Sequence, residues 1–301
     1  MVDLTAIILT LNEETHIERS ICSAKEVAKY VLVVDSFSSD RTVEIACSLG
    51  ANVVQREFKN QADQFQWALD HCNVQTDWVL RLDADEYLEP SLVSEIRQKL
   101  PVLPGDVDGI YMKRKAVFMG RWIRHGGVYP LILLRIWRKG KGRVEQRWMD
   151  EHIVLPPGSQ TVIAEGHLVD DNRKGITFWI DKHNKFASRE MVDLLNIKYP
   201  LFEKDEGLKA VNDPQAKRKR IIKDHIYSKL PVGLRALLYF FYRYFLRLGF
   251  LDGRTGLIYH FMQGFWYRFL VDLKLMEIEK LSGGDFVRIK KLIKEKHGIE
   301  I

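Results

Sequence analysis

An α/β fold, with a mostly parallel sheet covered by helices on both faces, is what this sequence predicts from three features near its N-terminus. Short apolar runs alternate with longer segments of helical periodicity. The runs are almost continuously apolar, as strands buried under two helical layers must be. Three of them end on polar groups, Asn12/Glu13, Asp35 and Asp83/Asp85, which a parallel sheet brings to one edge.

Leu4 to Leu11 is the first such run, and Asn12-Glu13-Glu14 ends it. Ile17, Ile21 and Ala24 then recur at helical spacing up to about Ala28. Val31 to Asp35 is a second buried strand. Ser36 to Asp40 is a turn, Asp40 is a candidate N-cap, and the helix it opens stops at Gly50. Asn52 to Arg56 is a third strand, and Asn60 to Cys72 a helix with Phe65, Ala68 and Leu69 inward. Trp78 to Leu82 is a fourth strand, apolar except for Arg81.

Where that fourth strand stops, Asp83, Asp85 and Glu86 crowd together. Carboxylates so close repel one another unless a cation sits among them. Asp83 and Asp85 are two apart, so an extended backbone points them the same way. They are candidate ligands of a divalent cation; the alternative is a solvated acidic turn. Asp106-Val107-Asp108 repeats the pattern but follows Pro104-Gly105 and reads as a turn. No G-x-G-x-x-G follows the first strand and no G-x-x-x-x-G-K-[ST] occurs, so phosphate, if bound, is handled by a metal.

Pro90 to Leu100 is a helix with Pro in its first turn, and Pro101 to Gly105 breaks it. Asp108 to Phe118 and Leu131 to Trp137 are strands. Between them Gly120 to Pro130 reads as a loop with aromatic and basic walls, suited to a sugar ring or phosphate, or else as a surface hairpin holding one core Trp. Arg135, if buried, needs an anionic partner. Asp150 and Glu151, in Trp148 to Ile153, form a second acidic cluster, and Glu151 is a candidate general base; the alternative is a solvated turn before Pro156-Pro157-Gly158. His167 follows a strand-like Thr161 to Ala164 and is either a metal ligand or a structural histidine.

Beyond Gly175 the pattern turns helical. Phe178 to Asn196 is a long amphipathic helix and Glu203 to Asp213 a polar linker. Lys209 to Leu248 holds ten Lys or Arg against two acids, interleaved with aromatic blocks such as Tyr239-Phe240-Phe241-Tyr242. Gly249 to Gly256 breaks the helix and Tyr259 to Leu275 resumes it. Basic and bulky aromatic faces, too interrupted to span a bilayer, suit helices lying in a membrane interface, with residues 209–275 as the contact; an ordinary hairpin packed on the sheet is the alternative. Asp285 to Lys296 reads as a charged, solvated helix.

Composition is that of a folded globular chain: 301 residues, 46% hydrophobic, 29% charged, net charge +6. Cys22, Cys47 and Cys72 are odd in number and lack C-x-x-C spacing, which fits a reducing cytosol and excludes a zinc or disulfide framework. Met-Val-Asp-Leu-Thr has no basic n-region, so no leader peptide is expected. No recognised nucleic-acid motif occurs, and no nucleic-acid partner is expected.

Ile7 to Glu14, Val33 to Thr42 and Trp78 to Glu86, in that order and spacing, resemble family 2 glycosyltransferases of the GT-A fold, a Rossmann-like sheet. Gly249-Phe250-Leu251-Asp252-Gly253-Arg254-Thr255-Gly256 is similar to a segment of the bacterial lipopolysaccharide-core and exopolysaccharide branch. The resemblance implies a catalytic region over 1–170, with a nucleotide-binding half (1–100) and an acceptor half (101–170), followed by a helical region over 171–301. It implies that Asn12, Glu13 and Asp35 line the donor pocket and that Asp83 and Asp85 hold Mg²⁺ or Mn²⁺; beside it, Asp83 and Arg135 are candidate donor-binding residues and His167 a candidate further metal ligand read from the residues themselves. Glu151 matches an inverting member's base, but His follows it here as His152 instead of preceding it, so Asp150 and Glu151 both stay open. The implied reaction moves a sugar from a nucleotide-sugar donor to a lipid-linked glycan acceptor on the inner face of the cytoplasmic membrane. Two other readings are another phosphate-handling α/β enzyme, a nucleotidyltransferase or phosphatase, and a non-catalytic nucleotide-binding adaptor at the membrane surface.

Overall fold

β1 (Val2–Thr10), α1 (Ile17–Lys25), β2 (Ala28–Asp35), α2 (Thr42–Ser48), β3 (Asn52–Gln55), α3 (Gln61–His71) and β4 (Trp78–Asp83) alternate as their hydrophobic periods dictate. These bounds come from a computed structural model, which describes residues 1–145, 151–202, 231 and 233–301. The Asp150 assignment, the polar linker and the basic run up to Lys229 lie outside the described residues.

The first four strands are parallel and ordered β3-β2-β1-β4. Side chains alternate across them. Leu4, Ala6 and Ile8 of β1 pack with Ile17, Ile21 and Ala24 of α1. Ile7, between them, packs on the opposite face with Phe65 and Ala68 of α3. The chain therefore reverses direction across the sheet between β1 and β4, and a crevice opens at their C-terminal ends, where open α/β sheets bind ligands.

Beyond β4 the sheet becomes mixed. β5 (Glu86–Leu88), α4 (Pro90–Lys99), β6 (Val107–Phe118), β7 (Arg121–Ile123), β8 (Leu131–Arg138), β9 (Arg143–Val144), β10 (Ile153–Val154) and β11 (Gln160–Asp171) follow. Among the described residues the sheet continues β4-β8-β6-β11-β5, with β7 paired to β6 and β9–β10 a separate ribbon. Gly120 to Pro130 is thus partly a hairpin: Met119 and Gly120 both have positive φ, 49° and 74°, in the turn that reverses β6 into β7. β5 is too short, and too acidic at its start, for periodicity to reveal it; antiparallel pairing with β11 makes it a strand.

α5 (Gly175–Lys198), α6 (Leu234–Phe241), α7 (Gly253–Tyr259), α8 (Tyr267–Ser282) and α9 (Phe286–His297) complete the described chain, with π-helical turns at Tyr242–Leu246 and His260–Trp266. The structure corrects one expectation here. α9 is not solvated all round: Ile289 and Ile293, four apart, are fully buried against Met191 and Leu195 of α5 and Ile278 of α8.

Candidate active site

The parallel register aligns the strand ends. Thr10 pairs with Asp35 and Leu9 with Asp83, so three predicted polar ends lie level at one edge. Asn12, at φ 55°, accepts from Ser39 N at 2.8 Å through Oδ1, which ties the β1 end to the turn after β2. Asp35 is fully buried and takes hydrogen bonds from Thr10 Oγ1, Ser38 N, Ser38 Oγ and Gln55 Nε2. Four donors fill a carboxylate's lone-pair positions. In this state the carboxylate ties together the ends of β1 and β3 and the turn after β2.

Glu13 receives Lys174 Nζ at 2.8 Å on one oxygen and His16 Nδ1 at 2.7 Å on the other. Arg173 N donates to His16 Nε2, so the imidazole proton sits on Nδ1 and points at Glu13. The β1–α1 loop is thereby fastened to the link between β11 and α5.

Asp83, Asp85 and Glu86 do sit among cations. Arg135, 4% exposed, meets the expectation of an anionic partner twice over, with Nη2 2.6 Å from Glu86 and 3.3 Å from Asp83. Arg81 stands 3.7 Å from Asp83 and bonds Glu151 at 2.7 Å. Asp85 takes Lys182 Nζ at 3.2 Å and Asn172 Nδ2 at 3.0 Å, both on Oδ2. Burial works against ionising Asp83, but Arg135 and Arg81 outweigh it and hold the carboxyl below its usual range. Burial is likewise outweighed at Asp85 by Lys182 and Asn172. Glu86 goes the other way: burial, only partly relieved by Arg135 and reinforced by the Asp83 charge, pushes it up to about 8. Asp170, 3.3 Å from Arg114, is also raised, first by burial and then by Asp85 despite Arg114.

His167 does not join this cluster. Its Nε2 lies 2.8 Å from Tyr129 Oη and its Nδ1 3.4 Å from Glu89, so both nitrogens are engaged beside Trp122 and not beside the acids; the structural reading of this histidine replaces the ligand reading. Among the described residues no group of three or more His, Cys, Asp or Glu is arranged to hold a metal. The donor set fits a hard cation of the Mg²⁺ type, which takes one or two carboxylates and completes its shell with phosphate oxygens and water.

Glu151 is at the same edge, 9% exposed, joined to Asp83 through Arg81. The aromatic wall is occupied internally: Lys115 and Arg124 lie 4.5 and 4.1 Å from the Trp122 ring centre, and Tyr129 abuts its edge. The loop is pinned from the C-terminal helices, since Asp252 accepts from Arg124 N, His125 N and His125 Nδ1. Sequence reasoning missed Lys182 and Asn172 as partners of Asp85; nothing in the spacing of an amphipathic helix signals that its polar face crosses another element's acids. Arg81, a lone charge in an apolar strand, was the visible clue to a buried counter-ion.

The family model described as Glycosyl transferase family 2 matches residues 5–165. An uncharacterized glycosyltransferase of Rickettsia bellii is 46% identical over 93 residues, 31% of this chain and 31% of that protein. The chain thus spans about a third of the length of the Rickettsia relatives it matches. The lipopolysaccharide core biosynthesis glycosyltransferase LpsC of Rhizobium meliloti is 27% identical over 190 residues, 62% of this chain and 69% of that one. Among solved structures, glucosyl-3-phosphoglycerate synthase of Mycobacterium tuberculosis, in complex with Mn²⁺, UDP and glucosyl-3-phosphoglycerate, is 24% identical, with 38% of this chain and 44% of that chain covered and a TM-score of 0.32. No contact is carried over from so partial a likeness.

Proposed function

This chain belongs to glycosyl transferase family 2, and from that premise we propose that it is an inverting, metal-dependent glycosyltransferase. It moves a sugar from a nucleotide-sugar donor to a lipid-linked saccharide in the synthesis of a bacterial cell-surface glycan. The observation that carries the reading is the bridge that Arg81 makes between Asp83 and Glu151 at one sheet edge, with Asp85 two residues beyond Asp83 at the same strand end.

Asn12, Glu13 and the Asp35 turn line the nucleotide pocket, and Arg135 steadies Asp83 beneath it. Asp83 and Asp85 would hold Mg²⁺ or Mn²⁺, which when bound would supply positive charge for the departing diphosphate. Glu151 takes the proton of an acceptor hydroxyl whose oxygen attacks the anomeric carbon from the face opposite the diphosphate, while the bond from that carbon to the diphosphate oxygen breaks. Arg81 must loosen its hold on Glu151 for this, and an incoming acceptor that reorganises the site provides the occasion.

Support for a lipid-linked acceptor comes from the C-terminal helices. Leu237, Phe241, Phe245, Leu246, Leu251 and Phe261 are 41–77% exposed, beside the exposed Arg247 and Arg254. Among the described residues no helix is long and apolar enough to cross a membrane. An apolar patch with a basic fringe fits a bilayer surface, and we assign the cytoplasmic face of the inner membrane. The name of the LpsC relative points to lipopolysaccharide core as the product class. A melting-temperature screen of sugar nucleotides with and without Mn²⁺ tests the donor reading: one sugar nucleotide raises the melting temperature only when Mn²⁺ is present, and a panel without any such shift contradicts it.

A further inference from the structure

Among the described residues four cations neutralise the acids of the β4–β5 turn, Arg81, Arg114, Arg135 and Lys182, and they are not equivalent: Arg114 is shared between Glu86 and Asp170. Arg135 and Arg81 are 4% and 6% exposed, and each contacts two carboxylates. Withdrawing either uncovers a second buried acid, so both are fixed parts of the site. Lys182 differs on both counts. Among the described residues its one ion pair is with Asp85, and its side chain is 35% exposed where that of Asp85 is 12% exposed. It arrives from α5, outside the sheet, and a lysine is a point charge on a flexible stem that can move at the expense of one contact.

We propose that Lys182 is a displaceable counter-ion of Asp85. It occupies the carboxylate while the donor is absent and yields it when a divalent cation arrives with a diphosphate, its ammonium then pairing with a diphosphate oxygen. A buried carboxylate needs either a full set of hydrogen-bond donors, as Asp35 has, or a counter-ion; Asp85 has Asn172 as its one neutral side-chain donor among the described residues, so the site needs such a substitute between turnovers. Asn172, neutral and on the same oxygen at 3.0 Å, stays in place through the exchange. The cost of displacing Lys182 makes the cation alone a weak ligand and couples its binding to that of the diphosphate. This inference rests on the metal-dependent reading above.

The test is a Mn²⁺ titration followed by electron paramagnetic resonance, on the full chain without nucleotide, for the parent protein, Lys182→Gln, Lys182→Met, Lys182→Arg and Asp85→Asn. Circular dichroism melting selects the neutral variant that folds. The expected result is that a neutral variant binds Mn²⁺ roughly tenfold tighter or more, because the competing state is gone. Lys182→Arg binds no tighter than the parent, and Asp85→Asn loses the site. A merely structural lysine would weaken Mn²⁺ binding or leave it unchanged when neutralised; either result, or no binding by any neutral variant, overturns the proposal. If the site is lost in Asp85→Asn but neutral variants match the parent, the counter-ion fails while the metal reading stands. Undiminished binding by Asp85→Asn removes both.

Discussion

Arg81 donates a 2.7 Å hydrogen bond to Glu151 across 70 residues of sequence, and its Nε lies 3.7 Å from Asp83. The same guanidinium therefore neutralises a carboxylate assigned to the metal and the one assigned to the acceptor. Removing it takes from Glu151 its ion-pair partner and, among the described residues, leaves Asp83 with Arg135 alone. Arg81→Met is expected to cost about 3–5 kcal/mol in urea unfolding, and Arg81→Met combined with Glu151→Leu to cost less than Arg81→Met alone. A double variant whose loss equals the sum of the two single losses would show that the pair is not coupled.

Glu86 is shifted upward, from an ordinary 4.5 to about 8, by burial first and by the Asp83 charge, against the pull of Arg135. Between those values the unfolded chain has released this proton and the folded chain still holds it. The stabilisation is complete below about 4.5 and is lost as pH rises through about 8. Glu86→Gln keeps an acceptor for Arg135 and removes the titration. Its melting temperature should fall less than the parent's between about pH 5 and pH 9, by roughly 2–4 °C for each kcal/mol recovered. Parallel curves for the two proteins would exclude Glu86 as the source.

Asp252 holds three donors of the loop after β7, at 3.1, 2.9 and 2.8 Å. Asp252→Ala leaves them unmatched and should cost about 1–3 kcal/mol. Trypsin should then cleave after Arg121 or Arg124 faster than in the parent protein, while cleavage elsewhere is unchanged. Equal cleavage rates would mean that other contacts hold the loop.

Phe245 and Leu246, 48% and 77% exposed, are among the exposed apolar side chains of the C-terminal helices. Phe245→Asp with Leu246→Asp should lower co-sedimentation with anionic vesicles about tenfold or more and leave the Mn²⁺-dependent melting shift with the sugar nucleotide intact. Undiminished sedimentation would remove the bilayer as partner of this surface.

The α/β fold class with its parallel sheet was legible because each early strand and helix carries its own period: Ile17, Ile21 and Ala24 declare a helix face, and Val31 to Val34 a buried strand. Strand polarity then put Asp35 and Asp83 at one edge before any coordinates. What was not legible is contact between distant segments. Lys182 lies 97 residues from Asp85, and no local rule joins them. For the same reason the sequence left His167 between a ligand and a structural role: its partners, Tyr129 and Glu89, come from two other segments. The solvated reading of the last helix failed because its polar residues outnumber Ile289 and Ile293, which alone decide its buried face.

Transfer of radiolabel from the sugar nucleotide identified by melting shift into a lipid-extractable glycan is the most direct test, run with parent protein, Asp85→Asn and Glu151→Gln. The parent should label the lipid fraction in a manner dependent on Mg²⁺ or Mn²⁺, and each variant should lose about 10²-fold or more of that rate. Label transferred at the parental rate by either variant would contradict the assignment of Asp85 and Glu151 to metal-dependent glycosyl transfer.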